Sequence, residues 1–196
     1  MLLWGLVSGY STRMSDRLPA ENLANYRSLL SRVDQLCAKI KAEFAAEIVC
    51  RAGCSGCCRH LTLFPVEAAN LSRAVGALPE EISLLLAGRL EWPENGSCPL
   101  LLADCCLVYG DRPVICRTHG LPLLAEIDGV RTIDCCPENY RNAESLPGNS
   151  VINLETLNRT LVAINTLFVA KNDDERFRSR DRFTIAEIIR LSKAED

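Results

Sequence analysis

The apolar residues in the first quarter of the chain recur at the spacing of an amphipathic helix. Over 20–48 they return every three or four positions, whereas Lys39 and Lys41 fall largely on the other side. This pattern predicts one long helix. Cys37 lies on the apolar side, so we interpret it as a packed thiol and not as a metal ligand. The predicted inner stripe comprises Leu23, Tyr26, Leu29, Leu30, Val33, Leu36, Cys37, Ile40 and Phe44.

Two shorter helices are predicted after an apolar, extended run over 61–64. Pro65 suits the first turn of a helix, and Gly76 ends it. Pro79 precedes two glutamates, which complement the dipole at the start of a second helix. A turn-rich connector follows over 92–97. The inner face of the second short helix is predicted to carry Ile82, Leu85, Leu86 and Leu90.

The remainder of the chain predicts a hairpin and further helices. Two apolar segments flank Asp128-Gly129, a pattern that is typical of a β-hairpin over 123–135. Asn153 can cap a long helix, and Thr184 begins a capping-box pattern that opens a last helix. The charged run over 171–181 is typical of a solvated linker.

These elements predict a mainly α fold, a single compact helical domain with cysteine-rich metal-binding loops and a short β-hairpin. We assign this domain to residues 14–196, with a cysteine-cluster metal-binding core at 49–137 and C-terminal helices at 150–196. Residues 1–13 are apolar without a preceding basic residue, which does not favour a signal peptide. We interpret them as a mis-assigned start or a disordered leader.

Composition narrows the class of protein. The 196 residues are 48% apolar, with a net charge of −3 and no apolar run of about 20 residues. We therefore expect no transmembrane helix and no general attraction to nucleic acid or to an anionic membrane. Eleven cysteines, an odd number without a clear secretion signal, favour reduced, metal-bound thiols in the cytoplasm over disulfides.

Most of the cysteines lie in three short stretches, 50–58, 98–116 and 135–136. Gly53 and Gly56 predict a knuckle in the first stretch, because each would destabilise a helix there. Thiolates are soft ligands that suit zinc and iron–sulfur clusters. The Cys54-x2-Cys57 spacing suits a single zinc ion, whereas two ligating neighbours at Cys57-Cys58 would suit a polynuclear centre.

Other residues of the clusters leave alternatives open. His60 and His119 flank cysteine motifs, where each is either a structural residue or a further ligand. Arg51, Arg59 and Arg117 adjoin cysteines and either lower the thiol pKa values or are merely solvated. In the second stretch, Asp104, Tyr109 and Asp111 are candidates as well, although Asp111-Arg112 is as readily an ordinary turn. In the adjacent pairs, Cys105 and Cys135 are predicted to pack while their neighbours ligate.

The spacing of these residues resembles the YkgJ-type cysteine-cluster family over about residues 50–137. The resemblance rests on Cys50-x3-Cys54-x2-Cys57-Cys58-Arg59, Cys98-Pro99-Leu100, Cys106-x2-Tyr109-x2-Arg112-Pro113-x2-Cys116-Arg117 and Cys136-Pro137. The family's shorter pattern is Cys-x2-Cys-x2-Cys-Cys, so Cys50 departs from it by one residue. The resemblance implies eight metal chelators, which are Cys50, Cys54, Cys57, Cys58, Cys98, Cys106, Cys116 and Cys136.

The resemblance implies a protein that chelates zinc or iron, including iron within an iron–sulfur cluster. Flagellin N-methylases carry a similar domain, which gives the alternative of an iron–sulfur-dependent enzyme, either an oxidoreductase or a flagellin-type protein lysine N-methylase. A metal carrier is a third hypothesis. Metal ions are the expected partners, and a protein partner or substrate is left open.

Overall fold

The computed structural model describes residues 23–51, 53–90, 96–143 and 145–193. Within these ranges the fold is mainly α, with seven helices and seven short strands. The predictions for residues 1–13, for the first turn of the 20–48 helix and for most of the 92–97 connector lie outside the described residues.

The helices are α1 (Ala24–Glu43), α2 (Pro65–Gly76), α3 (Glu80–Arg89), α4 (Val114–Thr118), α5 (Leu154–Lys171), α6 (Glu175–Arg178) and α7 (Ile185–Leu191). The strands are β1 (Thr62–Leu63), β2 (Leu101–Leu102), β3 (Cys105–Cys106), β4 (Leu123–Ile127), β5 (Val130–Asp134), β6 (Ile152–Asn153) and β7 (Phe183–Thr184).

The hydrophobic core lies between α1, α2, α5 and α7. Helix α2 contacts α5, α6 and α7, and α1 contacts α4 and α5. The predicted inner stripe of α1 is buried at most of its positions, because its three- and four-residue spacing places these side chains on one face. Helix α2 is buried on most sides, as expected for a helix at the centre of the domain.

The first helix is shorter than its pattern predicts. It ends at Glu43, because Phe44 leaves the helical conformation at φ −113° and ψ 35°. The ring of Phe44 packs edge-on against Tyr140, with 5.5 Å between the ring centroids. The amide of Tyr140 also donates to the carbonyl of Glu47 at 2.9 Å. A distant part of the chain thus ends the helix, which local periodicity cannot reveal.

The hydrophobic pattern was misleading in two other places. In α3, Leu86 is fully buried, but Leu85 is 43% exposed and does not lie on the inner face as predicted. The charged run at 171–181 is not simply a linker, because it contains α6. Phe177 of α6 is buried against the ring of Phe183, and burial of this one aromatic side chain explains why the segment folds back onto the core.

The strands connect segments that are far apart in sequence. The predicted hairpin forms from β4 and β5 around Asp128-Gly129, and β6 adds to β4 in parallel. Strands β1 and β7 pair antiparallel, with Thr62 opposite Thr184, so the first cysteine stretch is joined to the start of α7. A second hairpin, β2–β3, turns at Ala103-Asp104 with positive φ at both residues. It was not predicted, and it carries Cys105 and Cys106.

The predicted helix caps are present in the structure. The side chain of Asn153 accepts a hydrogen bond from the amide of Thr156, and Thr184 forms a capping box with Glu187. These caps satisfy amides that the first turn of a helix leaves without partners. None of the described helices has the length and apolarity that a membrane-spanning helix needs.

A buried carboxylate ties together the helices that lie beside the cysteine loops. Glu67 of α2 is 4% exposed and accepts hydrogen bonds from three groups. These are the amide of Phe64 at 3.3 Å, the amide of Val114 at 3.2 Å and the hydroxyl of Tyr26 at 3.5 Å. Val114 begins α4, so Glu67 positions the helix that carries Cys116. Burial raises the pKa of Glu67.

We expect Glu67→Ala to lower the free energy of unfolding by about 2–4 kcal/mol, because it leaves the Val114 amide and the Tyr26 hydroxyl buried without an acceptor. Urea denaturation followed by circular dichroism measures the change. The matched control is Glu126→Ala, whose carboxylate is exposed and pairs only with the exposed Arg131. The control substitution should lower the free energy of unfolding by at most about 1 kcal/mol, because an exposed ion pair usually contributes no more than that to stability. Equal effects of the two substitutions would contradict the anchoring role of Glu67.

Candidate metal centre

Thiols from widely separated parts of the chain line one cavity of about 560 Å³, here called the thiol cavity. Loops and short elements carry them, including the knuckle before β1, the β2–β3 hairpin and α4. Apolar side chains such as Leu71, Leu100 and Ile185 form part of its wall. The structure thus brings together seven of the eight predicted chelators. The cysteines of the cavity lining are Cys50, Cys54, Cys57, Cys58, Cys98, Cys105, Cys106 and Cys116.

The first cysteine stretch forms the predicted knuckle. The amide of Cys54 donates to the carbonyl of Arg51 at 3.0 Å, and the amide of Cys58 donates to that of Ser55 at 2.9 Å. These two hydrogen bonds turn the backbone at Cys54 and again at Cys58, and both residues line the cavity. The hydroxyl of Ser55 also donates to the carboxylate of Asp104 at 2.7 Å. This contact fastens the knuckle to the turn of the β2–β3 hairpin.

Four of the predicted chelators are partly buried on the inner side of the cavity, and we call them the inner thiols: Cys58, Cys98, Cys106 and Cys116. The amide of Cys98 donates to the carbonyl of Cys58 at 3.1 Å, so these two residues are adjacent. The side chains of Cys98 and Cys106 pack against the hydrophobic core. Cys116 lies on α4, which Glu67 holds in place. The core therefore supports the inner thiols from behind.

Burial makes these thiols hard to ionise. It raises the pKa of Cys116 to about 12 and that of Cys98 to about 11, and the neighbouring inner thiols add to both effects. The pKa values of Cys57, Cys58 and Cys106 are raised as well, again chiefly by burial. In the metal-free protein, loss of hydration therefore outweighs the nearby positive charge at Cys58, Cys106 and Cys116.

The arginine beside the inner thiols is Arg112, which sequence reasoning placed in an ordinary turn. Its positive charge lowers the pKa values of Cys58, Cys106 and Cys116, although burial outweighs it. Its guanidinium donates to the carbonyl of Cys116 at 3.3 Å and lies 3.5 Å from the centre of the Tyr109 ring. A cation held in this way is suited to a negatively charged centre.

Arg117 has a structural role. It is 7% exposed, and its guanidinium lies 2.5 Å from the carboxylate of Asp34 on α1 and 2.7 Å from the carbonyl of Arg112. The carbonyl of Arg117 accepts a hydrogen bond from the thiol of Cys37 at 3.6 Å. Cys37 is itself buried on α1, which agrees with its interpretation as a packed thiol.

Asn139 is a residue of the site that sequence reasoning missed. It is 3% exposed, and its amide group donates to the carbonyl of Gly120 at 2.8 Å and lies 3.4 Å from the sulfur of Cys50. Its oxygen accepts the amide hydrogen of Val49 at 3.0 Å. Asn139 thus fixes the backbone that carries Cys50. No local signal distinguishes it from other loop asparagines, because its partners lie far away in sequence.

Cys136 is the predicted chelator that does not line the thiol cavity, but it lies beside Cys50. The two residues flank Gly120, which adopts φ +84°. A Cβ atom at Gly120 would lie 3.3 Å from the sulfur of Cys50 and 3.5 Å from the Cβ of Cys136. We call Cys50, Cys54, Cys57 and Cys136 the outer thiols. The first three are exposed and Cys136 is partly buried.

The two histidines differ in position. His60 accepts a hydrogen bond from the amide of Ala186 at 3.2 Å through Nε2, and it lines a separate pocket beside α7. His119 caps the end of α4 and lines the thiol cavity. The structure thus leaves His119 near the thiols, whereas Nε2 of His60 already has a backbone partner.

The adjacent cysteines also differ from their predicted packing roles. Cys105 is exposed on β3 and lines the cavity, so its prediction as a packing residue is wrong. The β2–β3 hairpin was not foreseen, and its edge leaves Cys105 open to solvent. Cys135 is partly buried next to Cys136. All eleven cysteines are free thiols.

The donor set fits zinc or iron in its chemistry, since soft thiolates are the ligands these metals prefer in closed sites. Among the described residues, no three cysteine, histidine or acidic side chains are grouped closely enough to hold one metal ion. Ligation therefore requires the thiols to move toward one another. The exposed knuckle is the part of the cavity wall that the core constrains least.

Comparison with known proteins identifies the cysteine-bearing segment. Residues 49–137 match the family model CxxCxxCC, described as "Putative zinc- or iron-chelating domain". No curated protein and no solved structure matches the chain. The matched segment contains all eight inner and outer thiols, and the YkgJ-type naming denotes the same family. The resemblance seen in the sequence is therefore confirmed as a match of residues 49–137 to the CxxCxxCC family model.

Proposed function

We propose that the protein binds zinc or iron through its eight inner and outer thiols, in the cytoplasm. The observation that carries the proposal is the convergence of seven of these thiols on one cavity from two separate stretches of the chain, 50–58 and 98–116. Thiols at such separations in sequence meet only through the tertiary fold. A cytoplasmic location would keep them reduced and available to a metal.

The burial of the inner thiols determines which protonation state they have before a metal binds. A buried thiol with a raised pKa is a poor hydrogen-bond donor and stays protonated at neutral pH. A bound cation would replace the thiol protons. Burial would then strengthen the attraction between the cation and the thiolates, because Coulombic attraction is strong where water is excluded. The family description and the donor chemistry therefore support the same proposal.

Metal binding would also stabilise elements with little packing of their own. Strands β2 and β3 have two residues each, and α4 has five. Elements this short are not stable in isolation. A metal bound by thiols of the knuckle, the β2–β3 hairpin and α4 would cross-link them, as structural metal sites do in small domains. The Ser55–Asp104 contact already holds two of these elements together.

An iron–sulfur enzyme is the second candidate, and the size of the thiol cavity favours it. About 560 Å³ is much more than a single zinc ion needs. Tyr109 and His119 also line the cavity and could contact a substrate. An oxidoreductase or a protein lysine N-methylase would use such space beside a cluster.

Anaerobically purified protein should contain at least about one equivalent of zinc or iron per chain, because the thiols that line the cavity supply the soft ligands these metals prefer. Elemental analysis with an optical and EPR spectrum measures this. A colourless, EPR-silent protein with zinc would support a zinc site, and broad visible absorption with iron and acid-labile sulfide would support the iron–sulfur enzyme. Protein with no transition metal, which also takes up none on titration, would contradict the proposed function.

Metal affinity should rise with pH. Because burial raises the pKa values of Cys98 and Cys116 to about 11 and about 12, both are protonated in the metal-free protein at neutral pH and must release protons to ligate. For each thiol that must lose a proton in order to ligate, the metal affinity rises about tenfold per pH unit, as long as the pH is below the pKa of that thiol. Competition with a chromophoric zinc chelator between pH 6.5 and 8 measures the slope. An affinity that does not change over this range would contradict ligation by the inner thiols.

Asn139→Ala should weaken metal binding about 10- to 100-fold, because it releases the backbone that holds Cys50 beside Gly120. Chelator competition measures the affinity. Asn172→Ala is the matched control, since Asn172 is also a buried asparagine but caps α5, away from the cavity. The control should lower stability without changing metal affinity. Equal losses of affinity in both variants would indicate a general effect of stability instead of positioning by Asn139.

A further inference from the structure

The eight thiols fall into two groups according to what holds them. The inner thiols are partly buried, and two of them, Cys98 and Cys106, pack against the core, whereas most of the outer thiols are exposed and lie on loops. A single tetrahedral ion takes four ligands, so eight thiols exceed the need of one ion by four. The division into two groups of four therefore matches the number of ligands that two tetrahedral centres would need.

Backbone contacts connect the members of the inner group. Cys98 donates its amide to the carbonyl of Cys58, and Cys106 lies opposite Leu101 in the β2–β3 hairpin that follows Cys98. Arg112 joins α4 to this group through its contact with the carbonyl of Cys116. The inner thiols are also mutually close enough for Cys58, Cys98 and Cys106 to affect Cys116 electrostatically. They thus lie near one another in the cavity wall, although they are not grouped closely enough to hold an ion in the metal-free protein.

Gly120 and Asn139 connect the members of the outer group. The amide of Cys136 donates to the carbonyl of Gly120 at 3.4 Å, and Asn139 contacts both that carbonyl and Cys50. Cys54 and Cys57 follow Cys50 through the two turns of the knuckle. None of these contacts involves β2, β3 or α4, although Ser55, between Cys54 and Cys57, also contacts Asp104 in the turn of the β2–β3 hairpin. Gly120 and Asn139 therefore support Cys50 and Cys136 independently of that hairpin.

The charges around the cavity suit more than one anionic centre. Arg112 adjoins the inner thiols, and Lys41, Arg51 and Arg59 also line the cavity, where Asp104 is the acidic residue of the lining. Four thiolates around a divalent ion carry a net charge of about −2, so two such centres carry about −4. The positive side chains that line the cavity would partly neutralise the negative charge of two thiolate centres.

We propose that the protein forms two neighbouring four-thiol metal centres, an inner centre of Cys58, Cys98, Cys106 and Cys116 and an outer centre of Cys50, Cys54, Cys57 and Cys136. The adjacent residues Cys57 and Cys58 supply one ligand to each centre and join the two. The inference rests on the proposed metal binding. The core holds the inner centre, and the knuckle closes over the outer one when it binds its ion.

Titration of the metal-free full-length protein with Co²⁺ under anaerobic conditions tests the proposal. Sulfur-to-cobalt charge-transfer and d–d absorption bands report tetrahedral thiolate ligation, and native mass spectrometry counts the ions. The wild type should bind about two Co²⁺ per chain. Cys98→Ser with Cys116→Ser should abolish the inner ion, and Cys54→Ser with Cys136→Ser should abolish the outer ion. Each double variant should retain about one Co²⁺ with tetrahedral absorption.

A single substitution serves as a matched control. Cys135→Ser removes a thiol that is adjacent to a proposed ligand but does not line the thiol cavity and belongs to neither centre. This variant should bind about two Co²⁺, as the wild type does. Loss of an ion in this control would overturn the assignment of ligands to the two groups. The control also shows whether removal of any cysteine in these loops is enough to disturb binding.

Gly120→Ala keeps the test informative even where the inner double variant does not fold. The added Cβ would crowd Cys50 and the amide group of Asn139, and alanine is strained at φ +84°. Since the thiols beside Gly120 are Cys50 and Cys136 of the outer group, one Co²⁺ should bind at least tenfold more weakly while the other is unchanged. Equal weakening of both ions would overturn the proposal.

The outcomes separate this inference from the function on which it rests. A wild type that binds about one Co²⁺, or two that are lost together in the outer double variant, would mean a single shared centre and would overturn the two-centre proposal alone. A wild type that binds no Co²⁺, Zn²⁺ or iron would overturn the proposed function as well. Retention of one ion by the outer double variant supports both.

Discussion

The site depends on the burial of thiols without a charge partner strong enough to ionise them. Loss of hydration raises the pKa values of the inner thiols, and Arg112 offsets only part of this effect. A thiol in such a place is costly as a thiolate and contributes little as a neutral group. A cation that draws the sulfurs together relieves this conflict, which is why the geometry and the family description support the same chemistry.

The helical core supplies the rigid half of the site. Helices α1 and α2 are held together by apolar packing and by the hydrogen bonds of Glu67, and the same carboxylate fixes the start of α4. Arg117 adds a second connection from α4 to α1 through Asp34. These buried polar contacts fix the position of α4, and with it Cys116, in the metal-free protein. The knuckle, by contrast, is exposed and held by turns and by the Ser55–Asp104 contact.

Much of the secondary structure followed from local patterns. Helix α2 has the predicted bounds, the β4–β5 hairpin turns at Asp128-Gly129, and Asn153 and Thr184 cap their helices. These features depend on neighbours within a few residues, so the sequence displays them directly. The failures have distant causes. Tyr140 packs against the residue at which α1 ends, and Phe177 draws a charged segment into the core.

The candidate site divides in the same way. The sequence alone determined that residues 49–137 match the CxxCxxCC family, because thiol spacing and the Arg112-Pro113 segment are local features, and thiol chemistry indicates soft metals wherever cysteines cluster. Only the tertiary structure decided which side chains meet. It placed His119 and not His60 beside the thiols, assigned the thiol-facing charge to Arg112, and brought Asn139 to Cys50. Such contacts join residues far apart in sequence, and only the packing of the whole chain determines them.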